Sequence, residues 1–198
     1  MIRLTPRLLI GAANAAVGMS EKSALAVKRI VERRLTIEAR DDDQRPLAHD
    51  VALVLHWGHC AHYDERVDSS SWPITRVRTA DDIAGCASRN GLLREAPLEG
   101  DLFLLFSPPS RGYVRVGVLA NVCGEGRLGA RSTYYDVITI EPDSNEHGEL
   151  GGGKVVRMRR RLCPAAGDRF VRWADMDRRV PLQREAMYLP SKREAISI

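Results

Sequence analysis

The spacing of apolar residues in the first half of the chain predicts helices. Apolar positions recur every three or four residues from Pro6 to Gly18 and again over 21–35, where Ser20 is placed to cap the second segment. Pro6 is a favoured first helical residue, and Gly18 suits the end of that helix. A further helix is predicted to begin after Thr79, whose hydroxyl can cap a helix N-terminus. The first half of the chain is therefore expected to be helical.

The period of the apolar pattern changes to two after Pro97, and this change predicts β-strands. Four apolar runs are separated by turn-forming residues: 102–107, 113–122, 134–141 and 154–161. Residues 51–55 are apolar throughout and fit either a strand or a buried helix. Helices followed by sequential strands predict an α+β fold in which the helices pack on an antiparallel sheet.

Basic residues are concentrated near the C-terminus. The 198-residue chain has a net charge of +4, but from Lys154 onward 12 Lys and Arg face 5 Asp and Glu, whereas the preceding residues carry 18 against 21. Arg157, Arg159 and Arg161 share one face of the strand predicted at 154–161, and we predict that they bind a partner. A polyanion or an acidic protein surface fits this charge, and a merely solvated strand face is the alternative. A nucleic acid is disfavoured, because the sequence shows no interleaved aromatic residues and no known binding motif there.

Histidine and cysteine cluster at residues 56–62, where three of the five histidines lie beside Cys60. Ligands so close in sequence need a distant further ligand to surround a metal ion, and the sequence offers none at a familiar zinc spacing. We therefore predict no metal and no cofactor. Cys60 is instead a candidate nucleophile, which requires an imidazole or a helix N-terminus to activate its thiol. A half-buried cysteine beside solvated histidines is the alternative.

The sequence also bears on the compartment. It contains no apolar run near the ~20 residues that a spanning helix needs, so no membrane span is predicted. The first residues carry a weak outline of a signal peptide, but a capped helix fits them better. The four cysteines form no C-x-x-C pair and are too few for a disulfide scaffold, which favours synthesis in the cytoplasm. Export or association with a particle stays open.

Three sequence blocks in the second half resemble the CHAP and NlpC-type papain-like cell-wall hydrolases. The family pattern is Pro-x-x-Gly-Asp leading into a strand, then His-Val-Gly-Ile-Val, then a strand that ends Ile-Glu-Gly-Asn. The corresponding blocks in this chain are 97–106, 114–118 and 138–143. The resemblance implies a papain-like domain over 48–175, preceded by an N-terminal helical segment at 1–47 and followed by a C-terminal tail at 176–198.

The resemblance assigns site residues unevenly. Cys60, within His-Cys-Ala-His-Tyr, matches the nucleophile that the family places at a helix start. Arg115 stands where the family has its histidine base, Glu141 matches the orienting polar residue, and Asp143 stands where an asparagine is usual. If these roles carry over, Cys60, Arg115 and Glu141 converge. Arginine stays protonated and cannot take a proton from a thiol. We therefore expect Arg115 to pair with Glu141 or Asp143 in an inactive site.

Three functions follow as hypotheses. The first is a catalytically degraded relative of the cell-wall hydrolases that binds peptidoglycan or serves a larger protein assembly, such as a phage-tail-like or injection particle. The second is an active cysteine peptidoglycan amidase or endopeptidase with Cys60 as its nucleophile. The third is a nucleic-acid-binding protein that uses the basic C-terminal region. The sequence leaves the oligomeric state open.

Overall fold

The fold is known from a computed structural model that describes residues 6–38, 45–63, 77–129, 132–144 and 153–172. These ranges contain four α-helices: α1 (Pro6–Ala15), α2 (Glu21–Glu38), α3 (His49–Tyr63) and α4 (Ala80–Arg89). They also contain six strands: β1 (Leu93–Arg94), β2 (Leu102–Ser107), β3 (Gly112–Leu128), β4 (Ser132–Ser144), β5 (Lys154–Leu162) and β6 (Arg169–Val171). The strands form one antiparallel sheet in the order β1-β6-β2-β3-β4-β5. The predicted α+β class is confirmed.

The residues that fitted either a strand or a helix form the middle of α3. All five side chains from Val51 to Leu55 are buried. A helix can be apolar on every side only where protein surrounds it, and α3 packs against α1, α2 and the sheet. The predicted boundary between 47 and 48 falls just before this helix, and α1 and α2 contribute to the same core. The predicted tail at 176–198 lies outside the described residues.

The two faces of the sheet carry different side chains, because successive residues of a strand point to opposite sides. One face, here called the helix face, packs on the helices through residues that include Leu104, Val116 and Ile140. The other, here called the second face, carries a smaller buried cluster: Phe103, Leu119, Val137, Leu162 and Phe170. Arg115 lies on the second face, because its neighbour Val116 points to the helix face. Its partner in β2, Leu105, packs against the buried cluster of the second face.

No helix in the described ranges combines the length and the apolar character needed to cross a membrane. This agrees with the absence of a long apolar run in the sequence.

The predicted N-cap of α4 is confirmed. The hydroxyl of Thr79 accepts a hydrogen bond from the Asp82 backbone N–H at 3.1 Å, and the Asp82 carboxylate accepts one from the Thr79 backbone N–H at 3.1 Å. Asp82 also accepts the Arg78 backbone N–H, and the three hydrogen bonds fix where the helix begins.

We expect Thr79→Ala to lower the free energy of unfolding by about 0.5–2 kcal/mol, because one backbone donor of the first turn loses its acceptor. Thr79→Ser keeps the hydroxyl and should stay close to wild type. Urea unfolding of the three proteins measures the difference. Equal midpoints for Thr79→Ala and wild type would mean that the capping box contributes nothing.

Candidate functional site

Four polar side chains converge on the carboxylate of Glu141 in β4. Arg115 Nη1 donates to Glu141 Oε2 at 2.6 Å, and Arg160 donates to both oxygens through Nε and Nη2. The Thr139 hydroxyl donates to Oε1 at 2.6 Å, and the Ser144 hydroxyl donates to Oε2 at 3.4 Å. These five residues are called the Glu141 cluster below. They join β3, β4 and β5 on the second face of the sheet.

The Glu141 cluster holds its carboxylate in the ionised form. Glu141 is 0% exposed and Arg115 is 1% exposed. Burial alone raises the pKa of Glu141, but hydrogen bonds from Arg160 and Thr139, with the charges of Arg160 and Arg115, outweigh burial and hold that pKa below its ordinary value. A carboxylate with a lowered pKa is a weak base, and an arginine has no acceptor site for a proton. The arrangement suits an ion pair and does not suit proton transfer.

The expected pairing of Arg115 is therefore confirmed with Glu141. Asp143, the other expected partner, is directed elsewhere. Its carboxylate accepts the Gly153 backbone N–H at 3.1 Å and lies 3.7 Å from His49 Nδ1 at the start of α3. Asp143 has a φ of 53°, a conformation that aspartate tolerates better than most residues. It connects the end of β4 with the residues that lead into β5.

Asp50, in the first turn of α3, is a buried group that the sequence patterns did not single out. Its Oδ2 accepts the Val116 backbone N–H at 2.8 Å, and its Oδ1 accepts the Val51 backbone N–H at 2.9 Å. Burial raises the pKa of Asp50, and the nearby Asp143 charge adds to the effect, whereas the two hydrogen bonds and the Arg115 charge oppose it. The Asp50 carboxylate thus attaches the start of α3 to β3 beside Arg115.

The structure does not bring Cys60 to Arg115 and Glu141, so the expected convergence of the three residues is wrong. Cys60 lies in the last turn of α3, ten residues after Asp50, which is about 15 Å along a helix axis. In addition, α3 packs on the helix face, whereas the Arg115 and Glu141 side chains lie on the second face. The match to a helix-start nucleophile fails because α3 begins at His49, well before Cys60.

Cys60 has an imidazole neighbour within its own helix. The Cys60 thiol is exposed, and its Sγ lies 3.5 Å from Nε2 of His56, one helical turn earlier. Within the described ranges no group of three His, Cys, Asp or Glu side chains is arranged to hold a metal ion.

The arginine face of β5 is exposed, as predicted. The side chains of Arg159 and Arg161 are 71% and 55% exposed, and both lie near Asp136, with Arg161 also over the Tyr134 ring at 4.0 Å from its centroid. Arg157 lies 3.5 Å from the Asn14 side-chain oxygen. The role of these arginines in binding a partner stays a prediction.

Comparisons of the chain with protein-family models, with curated protein sequences and with solved structures find no match.

The buried carboxyl groups of Glu141 and Asp50 predict opposite effects of pH on stability. The lowered pKa of Glu141 means that its contribution is present above its unfolded-state pKa and is lost as the pH falls through the folded-state pKa. The raised pKa of Asp50 means that its contribution is present below its unfolded-state pKa and is lost as the pH rises through the folded-state pKa. Unfolding midpoints from about pH 7 to about pH 3 should therefore fall less steeply for Glu141→Gln and more steeply for Asp50→Asn than for wild type. Three parallel curves would contradict both assignments.

Proposed function

We propose that the chain is a catalytically degraded, papain-like protein of the CHAP and NlpC type that serves a binding or structural role. The observation that carries the proposal is the buried ion pair of Arg115, the residue that the resemblance places at the position of the family's base. Arg115 is buried and bonded to an ionised Glu141. A phage-tail-like or injection particle is the kind of larger assembly in which such a protein would serve.

The start of α3 supports the same proposal. The resemblance implies a nucleophile at a helix start, beside the strand that carries the base. In this chain the first turn of α3 instead presents Asp50, which is engaged by the backbone N–H groups of Val116 and Val51. A buried carboxylate with both oxygens engaged connects two elements and is not available as a nucleophile. The residues at the positions implied for the base and for the nucleophile, Arg115 and Asp50, therefore both make contacts that stabilise the fold.

The proposal is tested with purified protein and dye-labelled peptidoglycan, with a muramidase as the positive control. We expect no release of soluble dye above a heat-denatured sample, and the same result for Cys60→Ala. Arg115→His should not restore release, because Cys60 lies in the last turn of α3 and not at its start. Release by the native protein that disappears in Cys60→Ala would overturn the proposal.

One observation favours an active cysteine enzyme as the second candidate function. The Cys60 thiol and the His56 imidazole lie within 3.5 Å, and a thiol beside an imidazole is the usual arrangement of a cysteine nucleophile. The rate of Cys60 alkylation by iodoacetamide, measured in a Cys123→Ser background to remove the other exposed thiol, tests this candidate. If His56 activates Cys60, His56→Gln slows alkylation about tenfold or more; under the first proposal the rate is unchanged.

A further inference from the structure

Strand β5 forms one edge of the sheet and presents a regular set of main-chain groups outward. The Val155 C=O accepts the Gly18 N–H at 2.9 Å, so Val155 directs its main chain away from β4. The Met158 C=O accepts the Thr139 hydroxyl at 3.3 Å, so Met158 directs its main chain toward β4. Because these directions alternate along a strand, the residues that follow Val155 at every second position also face outward. They are Arg157, Arg159 and Arg161.

Within the described ranges no other strand pairs with this outer side of β5. The turn after α1 closes only the first part of the edge, through Gly18. An open groove of about 500 Å³ begins there, and it is lined by Val17, Gly18 and residues 154–158. Among the described residues, the part of the edge that carries the three arginines is therefore not paired with another strand.

The side chains of β5 also alternate in character along this edge. Three of the four residues with outward main-chain groups, Arg157, Arg159 and Arg161, carry exposed side chains on the helix face, whereas the fourth, Val155, is buried. Between them, Val156 and Met158 are half-buried apolar residues directed to the second face. A strand laid along the edge would meet positive charge at Arg157, Arg159 and Arg161 and apolar surface at Val156 and Met158. Between Arg159 and Arg161 it would meet Arg160, whose guanidinium is engaged by Glu141.

We propose that β5 binds an extended acidic segment of a partner protein as a seventh strand. The segment carries Asp or Glu opposite the three arginines and apolar residues opposite Val156 and Met158. Main-chain hydrogen bonds supply affinity, and the alternating side chains supply specificity. This inference rests on the binding role proposed above and names its partner by chemistry.

Charge selects this occupant over two others. A second copy of the chain, paired through the same edge, would place arginine opposite arginine, and like charges directly opposite each other are destabilising. A nucleic acid satisfies the positive charge but has no strand main chain to pair with the edge. Charged edge residues can also serve only to prevent aggregation, in which case no peptide binds.

The probe is a fluorescein-labelled peptide of alternating Glu and Val residues, and its binding to the full chain is measured by fluorescence anisotropy. We expect saturable binding that weakens about tenfold in the double variant Arg159→Glu with Arg161→Glu, because two attractive pairs become repulsive. Arg127→Glu is the control, since it changes one exposed arginine on β3, which β4 separates from β5. It should weaken binding less than about twofold.

Two further probes separate strand addition from charge attraction. Methylation of the Glu backbone nitrogens keeps every charge of the peptide but removes the donors that pair with β5, and we expect at least a tenfold loss of binding. Arg159→Pro removes an outward N–H while the β4 side of the ladder is kept, and it should have a similar effect if its unfolding midpoint shows that it folds. Equal binding of the methylated peptide, or equally tight competition by oligothymidylate of the same length, would overturn the inference.

The outcomes are distinct from those of the proposed function. Absence of any peptide binding would overturn the acidic-strand partner but leave the expectation of no peptidoglycan hydrolysis untouched. Hydrolysis that depends on Cys60 would overturn the non-catalytic proposal whatever the peptide result.

Discussion

Glu141→Gln is expected to lower the free energy of unfolding by about 3–5 kcal/mol, the range observed when one partner of a buried ion pair is removed. The reason is that the guanidinium groups of Arg115 and Arg160 would both lose the carboxylate to which they donate. Gln retains the size of the side chain, so the change isolates the charge. Urea unfolding at neutral pH measures the effect.

Asp136 provides a matched control on the same strand. It also lies between two arginines, Arg159 and Arg161, but the pairs are at the surface. Exposed ion pairs contribute little, because water screens the charges and the long side chains lose entropy. Asp136→Asn should therefore shift the midpoint far less than Glu141→Gln. Equal shifts for the two variants would mean that burial of the Glu141 cluster contributes nothing to the stability of the fold.

Gly117→Leu is expected to lower the free energy of unfolding by about 1–3 kcal/mol through overpacking. A Cβ atom at Gly117 would lie 2.6 Å from the Ile140 carbonyl oxygen and 2.6 Å from Phe103 Cε1. The carbonyl belongs to the paired strand β4 and cannot move without disturbing the sheet. The glycine is thus required by a close approach of neighbouring groups.

Gly124 is the control for this prediction, because it lies on the same strand and a Cβ atom there would meet nothing within 4 Å. Gly124→Leu should leave the unfolding midpoint unchanged or raise it slightly, since glycine is unfavourable in strands. If Gly117→Leu unfolds at the same urea concentration as Gly124→Leu, the close approach at Gly117 is incorrect.

Within the described residues, three of the four helices and four of the six strands could be predicted from the sequence, because their signals are local. The apolar run at 102–107 coincides with β2, and the capping residues mark the start of α4 at Thr79. The segment 51–55 was ambiguous because an apolar run without periodicity fits both a buried strand and a buried helix. Strands β1 and β6 have two and three residues, too few to show a period.

The Glu141 cluster could be predicted only in part. Arg115 and Glu141 are expected to pair from their positions in the sequence blocks, whereas no sequence pattern pairs Arg160 with Glu141. The signal for Arg160 was present in the alternation, which places it on the face opposite Arg159 and Arg161. Its partner depends on the register between β4 and β5, which local patterns do not contain.

The error at Cys60 has a physical cause. A short motif around Cys60 indicated a helix start, but the position of a helix start depends on the whole apolar segment that becomes buried. In this chain the buried segment begins near Val51, so α3 starts at His49 and Cys60 falls in its last turn. The group beside Arg115 at the helix start is consequently Asp50.

The central claim is that Arg115 and Glu141 act together as a buried structural pair, at the position that the proposed resemblance assigns to a catalytic base. A double-mutant cycle of Arg115→Met and Glu141→Gln on the free energy of unfolding tests it most directly. We expect the double variant to be more stable than the sum of the single changes predicts, with a coupling of about 0.5–3 kcal/mol, because removing both charges leaves neither one buried and unmatched. Effects that simply add would contradict the claim.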